Sequence, residues 1–394
     1  MSKGNLNRRR FLKITTAAGF SALVAACGSP AATTTAPTAA PAASGGGAAA
    51  SGNAALDALV EGAKKEGELT VIALPNDWSN YGEMKEKFKA KYPFLKLNDL
   101  NPDAGSADEV EAIKANKDNK GPQAPDVIDV GFAFGESSKK DNLLQPYKVS
   151  TWETIPAALK DPDGYWYGDY YGVMAFEVNK QVVSNVPQDW ADLLKADYKG
   201  QIALAGDPRK SSQAINAVWA AALGNGGSAD NAQPGLDFFK KLNDAGNFVP
   251  VIAKPATVAK GETPIALRWD YNALSNRDST KGNPEIAVVV PKSGVLAGVY
   301  VQAISAYAPH PNAAKLWMEF LYSDEGQLIW LKGYSHPVRY DDLVKRNVVP
   351  ADLASKLPPA ELYAKALFPT LAQIDASKKV ITEGWDKSVG ADVK

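Results

Sequence analysis

Short apolar runs recur along this chain, each bounded by turn residues and most followed by a stretch with helical spacing. Residues 67–74 (GELTVIAL) are the first, and behind them Met84, Phe88 and Tyr92 repeat at helical intervals over 81–92. The series continues at 125–130 (PDVIDV), 172–179 (GVMAFEVN), 201–205 (QIALA), 263–269 (TPIALRW) and 285–290 (EIAVVV), with a helix over 212–223 stopped by Gly224. Strands alternating with helices restrict the chain to an α/β fold, expected here to have mostly parallel sheets. Residues 313–331 and 350–385 read as helical throughout, which predicts a helical cover over one sheet.

The N-terminus has a different character. A basic stretch, RRRFLK over 8–13, precedes residues 14–26, which carry no charge and end in small side chains before Cys27. That is the layout of a secretory signal, and the apolar part is shorter than the ~20 residues that a spanning helix needs. The arginine pair resembles a twin-arginine export signal, with Asn7 where Ser or Thr is usual. Residues 24–27 (VAAC) resemble a lipobox, which makes Cys27 the expected lipid-bearing residue of an anchored protein. Because Cys27 is the sole cysteine, an intrachain disulfide and a cysteine metal cluster are both excluded. Residues 28–54 hold no charged and no large apolar side chain, so a disordered leash is expected, with a reach of roughly 30 Å.

About 340 residues then remain, enough for one large or two ordinary domains. Of 43 basic and 44 acidic residues, five basic and no acidic ones fall in 1–27, so the rest of the chain is acidic by six. No basic stripe points to nucleic acid. The two histidines, His310 and His336, sit in proline-flanked segments at spacings unsuited to a metal or a catalytic triad, and structural roles are expected for both. There is no nucleophile elbow and no phosphate-binding loop. Plentiful carboxylates leave a hydrolase as a rival reading.

In α/β sheets ligands bind beyond the carboxyl ends of strands. Four such segments carry chemistry here: Trp78 and Tyr81 after the first strand; Phe134 and Glu136 after the second; Ser211 and Ser212 at a helix start; and Trp269, Asp270 and Tyr271 after a later strand. Each has a plain alternative. Ser211 or Ser212 either caps the helix or seats an anion, and the aromatics either pack or face a ligand.

Longer motifs carry a resemblance. HPNAAKLWMEFL over 310–321 with SDEGQ over 323–327, DGYWYG over 163–168, QDWADLL over 188–194 with YKGQI over 198–202, and the DP…SS loop over 207–212 resemble the type II extracytoplasmic solute-binding proteins of bacterial ABC importers. The resemblance implies a two-lobed fold with crossover hinge strands: 55–174 and 298–394 in one lobe, 175–297 in the other. It implies a monomer outside the cytoplasm that needs neither cofactor nor resident metal, and that passes a small solute to a membrane permease. Relatives that bind ferric iron have adjacent tyrosines where Trp269-Asp270 stand, which argues against iron. The segment 76–81 (NDWSNY) resembles a loop of polyamine-binding relatives, so an organic amine is the expected cargo. An organic anion, such as a phosphonate or sugar phosphate held near Arg209, Lys210 and the two serines, is the alternative.

Overall fold

The computed structural model describes residues 51–355, 361, 363 and 365–394. The expected signal, lipobox and most of the linker lie outside them. The helix Ser51–Glu66 takes in residues 51–54, which composition had assigned to the linker. These four residues, Ser-Gly-Asn-Ala, are mostly weak helix formers and extend a helix whose support comes from further along its length.

Strand β1 (Glu68–Ile72) pairs in parallel with β2 (Lys96–Leu100), joined by the helix Tyr81–Lys91. Tyr81, Met84 and Phe88 are the buried face of that helix, as their spacing predicts. The second sheet is built around β5 (Trp166–Asn179), nearly buried along its whole length. Its first half pairs antiparallel with β9 (Ala297–Ser305), which in turn carries β3 (Val127–Gly131) and β4 (Leu144–Gln145). From Met174 onward β5 changes partners, pairing antiparallel with β7 (Ile265–Trp269) and β8 (Ile286–Val289). Strand β6 (Ile202–Leu204) then lies parallel to β7, and β10 (His336–Pro337) edges the first half of β5.

One strand thus serves two lobes, and the molecule is a two-lobed α/β fold with a crossover strand. The expectation of mostly parallel sheets is corrected: only β1–β2 and β6–β7 pair in parallel among the named strands. The cause lies in β5, which runs antiparallel to β7, β8, β9 and β10, and in β9, which runs antiparallel to β3 and β4 as well. Neither β2 nor β9 was foreseen. β2 (KLNDL) is largely polar, and β9 (AGVYVQAIS) mixes Gly, Gln and Ser into its run, which obscures the period-two signal.

Two further segments differ from their sequence reading. Phe132–Lys140 and Asp270–Ser279 are helices that begin directly after β3 and β7, so Phe134 and Asp270 lie on helix starts rather than in loops. The two histidines are structural. His310 donates from its backbone N (2.7 Å) to the Asp126 carboxylate and holds its ring Nδ1 2.9 Å from it. That partner raises the pKa of the ring. Burial pushes the His336 pKa down to about 4, leaving it neutral beside the Tyr171 hydroxyl at 3.1 Å. The motif around Pro311 has a physical role too: Glu66 accepts from the backbone N of Asn312 (3.0 Å) and Ala313 (2.8 Å), capping the helix Pro311–Leu321 and tying it to Ser51–Glu66.

Candidate functional site

A cleft of about 480 Å³ opens between the lobes. On the first-lobe side it is walled by the segment after β1, by the start of the helix Ser106–Ala115 and by β3, which contribute Trp78, Glu109 and Asp129 in turn. Ser211, Gln213, Lys254, Arg268 and Asn272 wall the second-lobe side, and Tyr300 of β9 lies at the crossover.

The segment after β1 is held in an unusual conformation. Ala73, Ser79 and Asn80 all have positive φ, at 59°, 45° and 62°. Asparagine tolerates this region, whereas Ala73 and Ser79 occupy it at a cost of order 1–3 kcal/mol each. The result presents Trp78 side-on: its Nε1 donates to the Tyr170 hydroxyl (2.6 Å), and its ring meets Tyr300 and Tyr271 edge-on at 5.3 and 5.9 Å.

Behind Trp78 lies the electrostatic centre of the site. Asp129 Oδ2 accepts from the hydroxyls of Tyr81 (2.9 Å) and Tyr170 (2.8 Å), while Oδ1 receives no donor. The Asp129 backbone N donates to Glu109 Oε2 at 2.9 Å. Gln302 Nε2 donates both to Tyr81 Oη (2.7 Å) and to Asp169 Oδ2 (3.1 Å). Glu109 is 1 % exposed, Asp129 5 % and Asp169 0 %, and no cation pairs with any of them among the described residues. Burial pushes all three carboxyls above their ordinary range, Asp129 to about 7. For Asp129 the two tyrosine hydroxyls and neighbouring Asp169 offset part of that rise, while the Asp129 charge adds to it at Glu109 and Asp169.

The cations on the opposite wall are already occupied. Arg268 pairs with Glu177 (2.9 Å), Lys254 with Asp103 (2.6 Å) and Lys210 with Asp108 (3.5 Å). Arg209, beside the cleft and not in its wall, is held by Asp207, Asp386 and Asp392. The Lys254 and Lys210 pairs bridge the lobes, as does the Ala107 backbone N donating to the Lys210 carbonyl (3.3 Å). Both ion pairs are about half exposed, so each contributes under about 1 kcal/mol to closure. Lys254→Ala is therefore expected to weaken solute binding by no more than about fivefold and to reduce its salt dependence, read by calorimetry across ionic strength.

A closer contact falls at Gly131, where a Cβ would come 1.9 Å from Ser212 Oγ. Gly131→Ala is expected to hold the lobes apart, weakening binding about tenfold or more while the melting temperature changes little. Calorimetry beside small-angle scattering checks both halves.

The residues singled out from sequence fall in different places. Trp78 and Ser211 line the cleft. Ser211 occupies the N-cap position of the helix Ser212–Gly224, yet its side chain makes no capping bond. Phe134 and Ser212 line a separate cavity. Tyr81, Trp269, Asp270 and Tyr271 are fully buried behind the site. Asp270 accepts from the Val173 backbone N (2.9 Å) and the Tyr363 hydroxyl (2.7 Å), and burial brings its pKa to about 6. Glu136 lies away from the cleft, accepting from Trp166 Nε1 at 3.2 Å. Glu109, Asp129, Gln213 and Tyr300 were missed. Gln213 accepts from the Trp269 backbone N (2.9 Å) and donates to the Ala205 carbonyl (2.8 Å), locking two cleft segments together. The one available signal was Asp129, an acid inside an otherwise apolar strand.

Two lobes sharing a crossover strand, with an open cleft between them, have the architecture of a solute-binding protein. Residues 123–372 match the model of the bacterial extracellular solute-binding proteins, and the chain belongs to that family. It is the solute-binding component of an ABC importer and works outside the cytoplasm, handing its solute to a permease; it is not an enzyme. The hydrolase reading is thereby set aside. The chain is 27 % identical over 285 residues to the spermidine/putrescine-binding periplasmic protein of Escherichia coli, covering 68 % of this chain and 74 % of that one. It is 24 % identical over 350 residues to iron uptake protein A1 of Synechocystis, covering 84 % and 87 %. Among solved structures, the periplasmic binding protein AfuA from Actinobacillus pleuropneumoniae with fructose-6-phosphate bound superposes with a TM-score of 0.64 at 22 % identity, covering 82 % of this chain and 98 % of that one.

Proposed function

We infer that the cargo is a small organic amine of the polyamine type, bound with its cationic group against Glu109 and Asp129 and its methylenes along Trp78 and Tyr300. One observation carries this reading: two buried carboxyls line the cleft with no cation among the described residues to pair them. An alkylammonium would supply the missing charge and donors, and each contact with an aromatic face adds about 0.5–2 kcal/mol. The similarity to the spermidine/putrescine-binding protein supports the same class.

An anionic cargo is disfavoured because Arg268, Lys254, Lys210 and Arg209 are all engaged with carboxylates. Iron is disfavoured because Trp269-Asp270 stand where relatives that bind ferric iron have adjacent tyrosines. The protein is further read as a monomer, exported by its twin-arginine-like signal and tethered through lipidated Cys27. Mass spectrometry of the membrane fraction with a Cys27→Ser control tests the tether.

For the cargo, melting temperatures are measured with spermidine, putrescine, fructose-6-phosphate, inorganic phosphate and ferric citrate. A rise with either amine and none with the others is the expected result. A rise with an anion or iron alone would sink the amine reading.

A further inference from the structure

A second cavity of about 400 Å³ shares no lining residue with the acidic cleft. Its walls are apolar and aromatic, formed by Phe132, Phe134, Leu159, Trp219 and Phe368. Phe368, 49 % exposed, marks the way in. The cavity contains one charged side chain, Lys378 of the helix Leu371–Ser388.

That ammonium is oddly placed. Its Nζ sits 3.3 Å from the centroid of the Phe134 ring, and no carboxylate is within ion-pairing distance of it among the described residues. Asp375, on the same helix, instead lies 3.9 Å from Lys140. Burial lowers the Lys378 pKa to about 8, with Lys114 acting in the same direction and Asp375 against it, so the group is still mainly charged near neutrality. A ring face offsets only part of the lost hydration and accepts none of the three N–H donors fully. A carboxylate would satisfy both charge and donors.

We propose that this cavity is a second ligand site, taking an aryl monocarboxylate whose acid group pairs with Lys378 and whose ring packs among Phe132, Phe134 and Trp219. The volume suits a small aromatic acid, since small-molecule pockets begin at roughly 300 Å³. Aromatic walls favour edge-to-face packing of a ring over a flexible chain. The site stands apart from the amine reading of the cleft, since it uses other residues and the opposite charge. Walls from both lobes and from the C-terminal helix surround it, so an occupant would touch the surfaces that move when the lobes close.

The test is calorimetry with phenylacetate as the probe and phenethylamine as its cationic counterpart, using full-length protein. Saturable one-to-one binding of phenylacetate is expected. It should survive in Asp129→Asn, fall at least about tenfold in Lys378→Met and persist in Lys378→Arg, which keeps the charge. Reductive ¹³C-methylation gives a second readout that needs no variant: the Lys378 methyl signal should move on titration with phenylacetate and stay put with phenethylamine. Absence of saturable phenylacetate binding, equal binding by Lys378→Met, or loss of binding in Asp129→Asn would each overturn the proposal. Spermidine binding is measured in parallel on the same variants, so failure of the cleft reading registers separately.

Discussion

Asp129→Asn is expected to weaken spermidine binding by about a hundredfold or more at pH 8, and to leave the apo protein at least as stable as the parent. The two halves follow from one cause. Asparagine is nearly isosteric, and its carbonyl can still accept from Tyr81 and Tyr170, so the network behind Trp78 survives. Removing one partner of a buried charge pair costs about 2–5 kcal/mol of binding. Without ligand, however, the ionised Asp129 is a buried charge lacking a cation, and replacing it relieves desolvation. Calorimetry with spermidine and thermal melts of the free protein separate the halves. A variant that binds normally, or one that merely unfolds, would refute the assignment.

The second large effect is a pH dependence of opposite sign in free and bound protein. Burial raises the Asp129 pKa from 3.8 to about 7 on folding and raises Glu109 and Asp169 as well, so the folded state holds more protons than the unfolded chain across that window. These carboxyls, with Asp270 raised to about 6, therefore take stability away as pH rises from about 4 to 7, outweighing His336, whose pKa burial lowers to about 4 and which returns stability between about 4 and 6.5. The melting temperature of the free protein should drop by several degrees over that range, and Asp129→Asn should flatten part of the decline. His310, with a pKa raised by Asp126, adds loss in the same direction at higher pH and is common to both proteins. Binding runs the other way. An amine needs ionised carboxyls, so spermidine affinity should increase between pH 5.5 and 8, with protons released on binding below pH 7. Calorimetry in buffers of different ionisation enthalpy measures that release; proton uptake would contradict the scheme.

Burial on both faces leaves a continuous apolar run, which made β1, β3, β6 and β7 readable, and β8 carries such a run although only its Ile286 is buried. Polar β2 and mixed β9 could not be read, since tertiary partners rather than residue type make them strands. The site was legible only in part. Trp78 stands out in a polar turn, and it does line the cleft. Trp269, Asp270 and Tyr271 stand out equally, yet packing at the crossover buries them, with Trp269 against Gly298 and Asp270 on the backbone of β5.

The order of apolar and helical periods, by itself, determined that this chain is an α/β protein, because those periods record which faces are hidden from water. The family motifs determined its kind. Which charges meet in the cleft was decided only by the tertiary structure. Glu109 and Asp129 in the cleft and Asp169 behind them come from three separate elements, and their buried grouping, without a paired cation among the described residues, exists only once Tyr81, Tyr170 and Gln302 have folded around it. Sequence counts carboxylates; their solvation, and therefore their appetite for a cation, depends on what surrounds them.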